Sequence, residues 1–136
     1  MAGVFPSQEW LDSLKDHLNS DEKYARVGKN WEGDIVFDIQ PEGALTEGKN
    51  IYLDLWHGKC RNAYFFDQQE KEPTFVLQAP FGNFARVLKS ELDPMTAMMT
   101  RKLKVRGSMT YMMRNVPTVL EFVRCAQDVT DEILGH

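Results

Sequence analysis

The stretch LDPMTAMMTRKLKVRGSM, residues 92–109, decides the fold, because it changes from helix to strand and back to helix. Asp93 followed by Pro94 is typical of a helix start, with the Asp as N-cap and the Pro at the first helical position. Alternation of apolar and basic residues then predicts a short strand around Leu103–Val105, which Gly107 ends. Ser108 can cap a second short helix, Met109–Arg114.

Methionine is concentrated in this region. Apart from the initiator, all methionines fall in two triplets, Met95, Met98, Met99 and Met109, Met112, Met113. The spacing i, i+3, i+4 predicts that each triplet covers one face of a short helix. Two interpretations stay open: an ordinary core, or a flexible apolar surface that accepts several ligand shapes, since well-specified cores prefer Leu, Ile and Val.

The residues before this region predict a helical start and a meander of strands. Apolar periodicity predicts one or two helices from Ser7 to about Asn30, with a break near Asn19–Asp21. Period-two alternation or β-branched and aromatic content then predicts four strands. They cover Ile35–Ile39, Ile51–Leu55, Cys60–Asp67 and Thr74–Ala79, with a longer loop at Pro41–Gly48 and a tight hairpin at Gly58–Lys59.

Helical periodicity returns after Pro80. Phe81, Phe84, Ala85 and Leu88 share one face, and Pro117 begins a last helix whose apolar side runs on to Ile133. The order of helix, meander, two helices, strand and two helices predicts an α+β fold with helices on one face of the sheet. Because the chain has 136 residues, we expect a single domain over residues 1–136.

Charge is distributed unevenly. Residues 1–72 carry 14 acids and 8 bases, whereas residues 73–124 carry 3 acids and 8 bases, within a net charge of −4. Lys102, Lys104 and Arg106 should share one exposed strand face, which could meet anionic lipid or remain a solvated edge. We expect no nucleic-acid partner, because zinc-finger spacing, a basic heptad helix and an aromatic RNA-binding octapeptide are missing from the sequence.

Motifs that resemble catalytic chemistry have simpler explanations. Gly43–Asn50 approaches a phosphate-binding loop, but Asn50 replaces the required hydroxyl and a strand follows, so we expect a hairpin loop. Asp54, His57 and Cys60 have no nearby second His or Cys to complete a zinc set. The motifs Gly-x-Ser-x-Gly, His-Glu-x-x-His and Gly-x-Gly-x-x-Gly do not occur in the sequence. We therefore expect no enzyme activity, no metal and no cofactor other than a bound lipid.

Two features predict a cytoplasmic protein. Cys60 and Cys125 are only two and lie far apart, which suits a reducing compartment. Met1–Gln8 has neither a basic start nor an apolar stretch, so a secretory signal is not expected.

The segment from Leu92 to Met109 resembles the signature of the sterol carrier protein 2 (SCP-2) family. Its members typically have a helix that opens near Asp-Pro, then a Gly-Lys-Leu-Lys-Val-x-Gly-Asp turn, then a helix bearing apolar residues. The upstream order of helix and meander also matches, so the resemblance covers about Ser7 to Asp128. Two departures occur: Arg101 stands where the family often has Gly, and Ser108 where it often has Asp.

The resemblance implies a five-stranded mixed sheet in the order 3-2-1-4-5, layered with helices around an apolar tunnel. Such a tunnel holds fatty acids, fatty acyl-CoA, phospholipids or sterols without covalent chemistry. The chain looks like a stand-alone, prokaryotic-type member, for which "sterol" is only a family label.

Together these observations predict a protein that binds or transfers lipid. The expected tail contacts are Phe84, Leu88, Met95, Met98, Met99, Leu103, Val105, Met109, Met112, Met113, Phe122 and Val123. Lys102, Lys104 and Arg106 are expected to meet an anionic headgroup or, transiently, an anionic membrane. The alternative is an accessory module, as in lipid or quinone metabolism, whose Met-rich face binds a partner protein or a second copy in a homodimer.

Overall fold

The computed structural model describes residues 3–136, so Met1 and Ala2, at the start of the segment expected to lack a signal, lie outside the described residues. The elements in chain order are β1 (Val4–Phe5), α1 (Gln8–Ser20), α2 (Glu22–Val27), β2 (Ile35–Gln40), β3 (Lys49–Trp56), β4 (Lys59–Phe65), β5 (Phe75–Pro80), α3 (Phe81–Leu88), α4 (Pro94–Met99), β6 (Lys104–Arg106), α5 (Met109–Arg114), α6 (Val116–Asp128) and β7 (Glu132–Ile133).

A five-stranded mixed sheet organises the chain, in the order β4-β3-β2-β5-β6. Strands β2, β3 and β4 form an antiparallel meander, β5 lies parallel to β2, and β6 is antiparallel to β5. In the register, Phe37 on the central strand lies between Ile51 on β3 and Leu77 on β5. The predicted α+β class and strand order are confirmed.

The predicted helix starts are also confirmed. The Ser7 side chain accepts a hydrogen bond from the Trp10 backbone N–H at the start of α1. Asp93 accepts from Thr96 N at 2.8 Å, with Pro94 at the first helical position of α4. Ser108 accepts from Tyr111 N at 3.1 Å, so this departure from the family pattern keeps the cap of α5.

The tight hairpin lies one residue earlier than the predicted Gly58–Lys59. Strand β3 ends at Trp56, and the two turn residues are His57 and Gly58, both in the left-handed region with φ of 51° and 78°. Positive φ at both positions matches the twist of the flanking strands. A Cβ on Gly58 would lie 2.7 Å from the Ala25 carbonyl oxygen, so only Gly lets the turn pack on α2.

Three predicted boundaries are wrong. The helical region at the start ends at Val27 rather than near Asn30. Strand β4 ends at Phe65 rather than Asp67. The last helix ends at Asp128, and Ile133 lies in β7, which pairs in parallel with β1 through Phe5 and Ile133. Pairing between the two ends of the chain is a long-range interaction, and helical periodicity in the local sequence does not predict it.

The main core lies between the inner face of the sheet and the helices. Leu11, Leu14 and Leu18 of α1 are fully buried there, as the predicted apolar stripe requires. A smaller apolar cluster covers the outer face of the sheet, where Val36, Tyr52 and Val76 are buried. None of the helices described in residues 3–136 is long and apolar enough to cross a membrane.

Candidate functional site

An apolar cavity lies between the sheet and the helices, with a volume of about 90 Å³. From the sheet, Ile35, Phe37, Leu55 and Leu77 form its floor. The helices α1, α2, α3, α4, α5 and α6 each contribute side chains to the remaining wall. The apolar tunnel implied by the family resemblance corresponds to this cavity.

The cavity wall has no charged side chain, and the polar side-chain atoms of Trp10, Trp31 and Thr118 hydrogen-bond within the protein. The indole N–H of Trp10 donates to Thr130 Oγ1, that of Trp31 donates to the Gly33 carbonyl, and the Thr118 hydroxyl donates to the Val27 carbonyl, each at 2.8 Å. Burial holds the pKa of Tyr24 well above its ordinary value, so this wall residue stays neutral. A wall of this kind can contact an apolar chain but offers no charged partner to a charged headgroup.

Seven of the twelve expected tail contacts line the cavity. They are Phe84, Leu88, Met98, Leu103, Met112, Phe122 and Val123. The structure therefore brings together one methionine from each triplet with apolar residues of α3, the segment before β6, and α6.

The other five expected contacts do not line the cavity. Met95, Val105 and Met109 are half-buried and pack against the main core. Met99 and Met113 point outward, with 66% and 46% of their surface exposed. The spacing i, i+3, i+4 spreads each triplet over about 100° of the helix surface, so Met98 lines the cavity while its neighbour Met99 faces solvent. Met98 and Met99 therefore cannot both face one small cavity.

Sequence reasoning missed the aromatic part of the wall. Phe5, Trp10, Tyr24 and Trp31 line the cavity, although none was among the expected contacts. Trp10 lies on the apolar stripe of α1, so its burial could be predicted, but not its position beside the cavity. Phe5 reaches the site through the pairing of β1 with β7, which has no local sequence signal.

Lys102, Lys104 and Arg106 are exposed, as predicted, but Lys102 precedes β6, so only Lys104 and Arg106 share the strand face. Lys104 and Arg106 flank Val105, which packs against the core from the same strand. Arg106 forms an ion pair with Glu72 at 3.1 Å, and the Lys102 backbone carbonyl accepts a hydrogen bond from Asn83. These cations lie on the surface and not in the cavity.

A charged cluster joins α1, α2 and α6 at a second location. The Arg124 guanidinium donates to both carboxylate oxygens of Asp21 at 2.8 Å, and also to Glu121. These hydrogen bonds hold the pKa values of Asp21 and Glu121 below their ordinary values. His17, Asp21 and Cys125 bring possible metal-ligand atoms within 4.8 Å of one another. The Arg124 cation already neutralises Asp21, which makes the group an ion-pair network.

The glycine–lysine loop has the predicted hairpin geometry. Gly43–Asn50 joins the antiparallel strands β2 and β3, and Lys49 already belongs to β3. No helix follows the loop, so it lacks the helix N-terminus that holds phosphates in a nucleotide-binding loop.

This fold, with an apolar cavity between a mixed sheet and short helices, is typical of small lipid-binding domains. The family model described as the SCP-2 sterol transfer family matches residues 11–119, well over half of the chain. The chain belongs to the SCP-2 sterol transfer family. No curated protein sequence matches it at a significant level.

Solved structures agree with this assignment. A crystal structure of sterol carrier protein 2 is 28% identical, with a TM-score of 0.83 over 91% of this chain and 98% of that chain. A Thermus thermophilus protein described as possibly a sterol carrier protein is also 28% identical, with a TM-score of 0.81 over 91% and 88%. An Aedes aegypti sterol carrier protein solved with palmitate is 18% identical, with a TM-score of 0.55 over 86% and 93%, and shares the fold.

Proposed function

We propose that this chain is a non-catalytic lipid carrier, which buries the apolar tail of its ligand in the cavity and leaves the headgroup in solvent. The observation that carries the proposal is the cavity wall. Its side chains are uncharged, and the polar atoms of Trp10, Trp31 and Thr118 already have protein partners. Such a wall favours burial of hydrocarbon and disfavours burial of a headgroup.

The size of the cavity indicates how a tail enters. An apolar protein cavity of about 150 Å³ can hold one benzene molecule, whereas this cavity measures about 90 Å³. A long acyl chain therefore enters only if part of the wall moves outward. Met98 and Met112 lie on the six-residue helices α4 and α5, and their unbranched side chains can adopt many shapes. Each buried methylene contributes about 0.8 kcal/mol, which offsets the cost of that movement.

The ligand class we favour is a lipid with a single acyl tail, such as a fatty acid or fatty acyl-CoA, ahead of a phospholipid or a sterol-like molecule. The palmitate bound to the Aedes aegypti protein of the same fold supports this choice. Lys102, Lys104 and Arg106 provide exposed cations for an anionic headgroup.

We propose that this carrier works in the cytoplasm, because Cys60 and Cys125 are both free thiols, which suits a reducing compartment. Both are buried, and burial raises the pKa of the Cys60 thiol to about 12 and that of Cys125 to about 11. Thiols that stay protonated are poorly reactive, so neither cysteine is suited to redox chemistry or covalent catalysis.

A neighbouring pair of methionines provides the test. Lipid-free protein is titrated with a fluorescent C16 fatty acid, using Met98→Glu and the matched control Met99→Glu. Met98→Glu should abolish uptake, because an entering tail would desolvate the new carboxylate. Met99→Glu should bind like wild type, because Met99 is mostly exposed. Circular dichroism checks that both variants fold.

Two results would contradict the proposal. One is equal uptake by wild type and both Glu variants, which would mean that the tail binds outside this cavity. The other is no uptake by any of them, together with no lipid in native mass spectra of protein purified from cells. The second result would favour the accessory-module alternative, which needs a Met-rich surface but no lipid.

A further inference from the structure

The outer face of the sheet carries a row of polar side chains that crosses four strands. Asp38 on β2 pairs with Asn50 on β3 and with Gln78 on β5. Gln78 in turn pairs with Lys104 on β6. The preceding residue on β5, Leu77, lines the lipid cavity on the inner face, and successive strand residues point to opposite faces. The polar row therefore lies on the side of the sheet that faces away from the lipid cavity.

A groove of about 390 Å³ is lined by all four of these side chains. Its second wall comes from residues 66–74, which join β4 to β5 without a helix. This connection lies over the outer face, where Phe66 packs against Val36 and Val76, and Lys71 lies over the Tyr52 ring. Small-molecule sites commonly have volumes of about 300–1,000 Å³, so the groove has the size of a ligand site. We call it the outer groove.

The two ends of the outer groove have opposite charges. Asp38 and Asp67 supply carboxylates, and the Phe66 N–H donates to the Asn50 carbonyl at 3.1 Å, which places Asp67 toward β3. Lys104 and Arg106 supply cations on the edge strand β6. Asp38 and Lys104 are two strand spacings apart, or about 10 Å.

The cations of the outer groove are available to a ligand. Lys104 has no ion-pair partner among residues 3–136. Arg106 pairs with Glu72, but both side chains are mostly exposed, at 64% and 71%. Exposed pairs of this kind contribute little free energy, so a carboxylate of a ligand can take the place of Glu72.

Neutral groups lie between the charged ends. Gln78 donates one amide hydrogen to Asp38 at 2.8 Å, which leaves its second amide hydrogen and its amide oxygen as a donor and an acceptor. Asn50 and Gln69 line the same groove with the same two functions, and Val76 adds apolar surface. Side-chain amides match the donor and acceptor of a peptide group.

We propose that the outer groove binds a zwitterion about 10 Å long, the length of an extended tripeptide. The ammonium group of the ligand lies at Asp38 and Asp67, and its peptide groups bond to the Gln78 amide. Its carboxylate lies at Lys104 and Arg106. The proposal does not rest on the carrier function, and it gives these two cations a role on the outer face in addition to the headgroup contact.

Charge complementarity favours a zwitterion over a simple anion. The charged side chains that line the outer groove are two acids and two bases, so their formal charges cancel. An anion is attracted by Lys104 and Arg106 but is repelled by Asp38 and Asp67. A ligand with one charge of each sign gains attraction at both ends.

The test titrates ¹⁵N-labelled protein with tri-alanine and follows the backbone amide shifts by NMR. Three further ligands are compared: N-acetyl-tri-alanine, which lacks the ammonium group, tri-alanine amide, which lacks the carboxylate, and inorganic phosphate. The variants are Asp38→Asn, which can still accept from Gln78, and Lys104→Gln. Lys102→Gln is the matched control, because Lys102 is also exposed but does not line the outer groove.

We expect tri-alanine to shift the amides of Gln78 and Lys104 and to leave those of Met98 and Met112, in the lipid cavity, unchanged. Asp38→Asn and Lys104→Gln should each weaken binding by about fivefold. N-acetyl-tri-alanine and tri-alanine amide should each bind wild type more weakly than tri-alanine by a similar factor, and Lys102→Gln should bind tri-alanine like wild type. Asp38→Asn should take up fluorescent fatty acid normally.

Several outcomes would overturn the proposal. Equal affinity for tri-alanine and both of its blocked forms would mean that the charged ends do not recognise the ligand. Phosphate that binds as tightly as tri-alanine would make the groove an anion site. An equal loss in Lys102→Gln would reduce the effect to net charge. The absence of any shift at millimolar tri-alanine, or a loss of fatty-acid uptake in Asp38→Asn, would contradict a separate site on the outer face.

Discussion

The two sides of the cavity are built differently. On one side, Trp10 belongs to α1, a 13-residue helix capped by Ser7, whose Leu11, Leu14 and Leu18 are fully buried. On the other side, α4 and α5 have six residues each and face the cavity with Met98 and Met112. One side is fixed by dense packing, and the other has short elements and flexible side chains.

This difference assigns different tasks to the two sides. Helices of six residues are too short to be stable alone and depend on tertiary contacts. Met keeps three rotatable bonds and adapts its shape, whereas branched Leu side chains in a close-packed core do not. The α1 side therefore maintains the fold, and the proposed carrier function assigns to α4 and α5 the outward movement that admits an acyl chain.

The largest expected loss of stability comes from a substitution on the α1 side of the cavity. Leu14→Ala should lower the free energy of unfolding by about 2–5 kcal/mol, because it leaves a cavity among fully packed atoms. Urea denaturation measures the loss, with Asp16→Ala on the exposed face of α1 as the control, expected within about 0.5 kcal/mol of wild type. If Leu14→Ala is as mild as Asp16→Ala, the α1 side is not the rigid one.

A second, smaller loss of stability is expected from the charged cluster that joins the α1 side of the cavity to α6. Asp21 caps α2 through the Tyr24 N–H and also pairs with Arg124. Asp21→Asn keeps a cap oxygen but removes the charge. Because Arg124 is partly solvent-exposed, we expect a loss of about 1–2 kcal/mol at pH 7.

The pH dependence of the free energy of unfolding tests whether the charge of Asp21 is responsible. Hydrogen bonds from Arg124 lower the pKa of Asp21 in the folded protein below the ordinary value of 3.8. The stabilisation is therefore complete above that value and is lost as the pH falls through the lower folded pKa. Unfolding curves of wild type and Asp21→Asn should differ at pH 7 and converge in strong acid. A difference that is the same at both pH values would mean that a change other than the loss of the Asp21 charge is responsible.

The sequence allowed the fold to be predicted wherever the signals are local. Asp93–Pro94, Ser108 and the alternation around Leu103–Val105 identify α4, β6 and α5, because caps and periodicity depend on near neighbours. The pairing of Phe5 with Ile133 joins the two ends of the chain and could not be predicted from either segment alone. The hairpin turn was misplaced by one residue because His57 takes a positive φ that favours Gly or Asn.

The candidate site was harder to predict for a geometric reason. Periodicity identifies which residues are apolar on one side of a helix, but it does not separate a cavity wall from packed core. Met95 and Met98 are both methionines on the apolar side of α4, yet only Met98 of the two lines the cavity. Trp31 lies between α2 and β2, outside any periodic element, so no pattern marked it as part of the wall.

The smallest expected loss of stability comes from substitutions on the side of the cavity formed by α4 and α5. Met98→Ala and Met112→Ala should each cost less than about 1.5 kcal/mol, although both residues are buried. In a packed core the same truncation costs about 2–5 kcal/mol, because neighbouring atoms on every side lose contacts. A methionine beside an existing cavity already has no neighbour on that side, so it has fewer contacts to lose.

Each truncation also enlarges the cavity, so affinity should rise for longer acyl chains relative to shorter ones. Urea denaturation and a fatty-acid chain-length series measure the two effects, with Leu14→Ala as the packed reference. Losses as large as that of Leu14→Ala, with no change in chain-length preference, would show that both sides of the cavity are equally rigid.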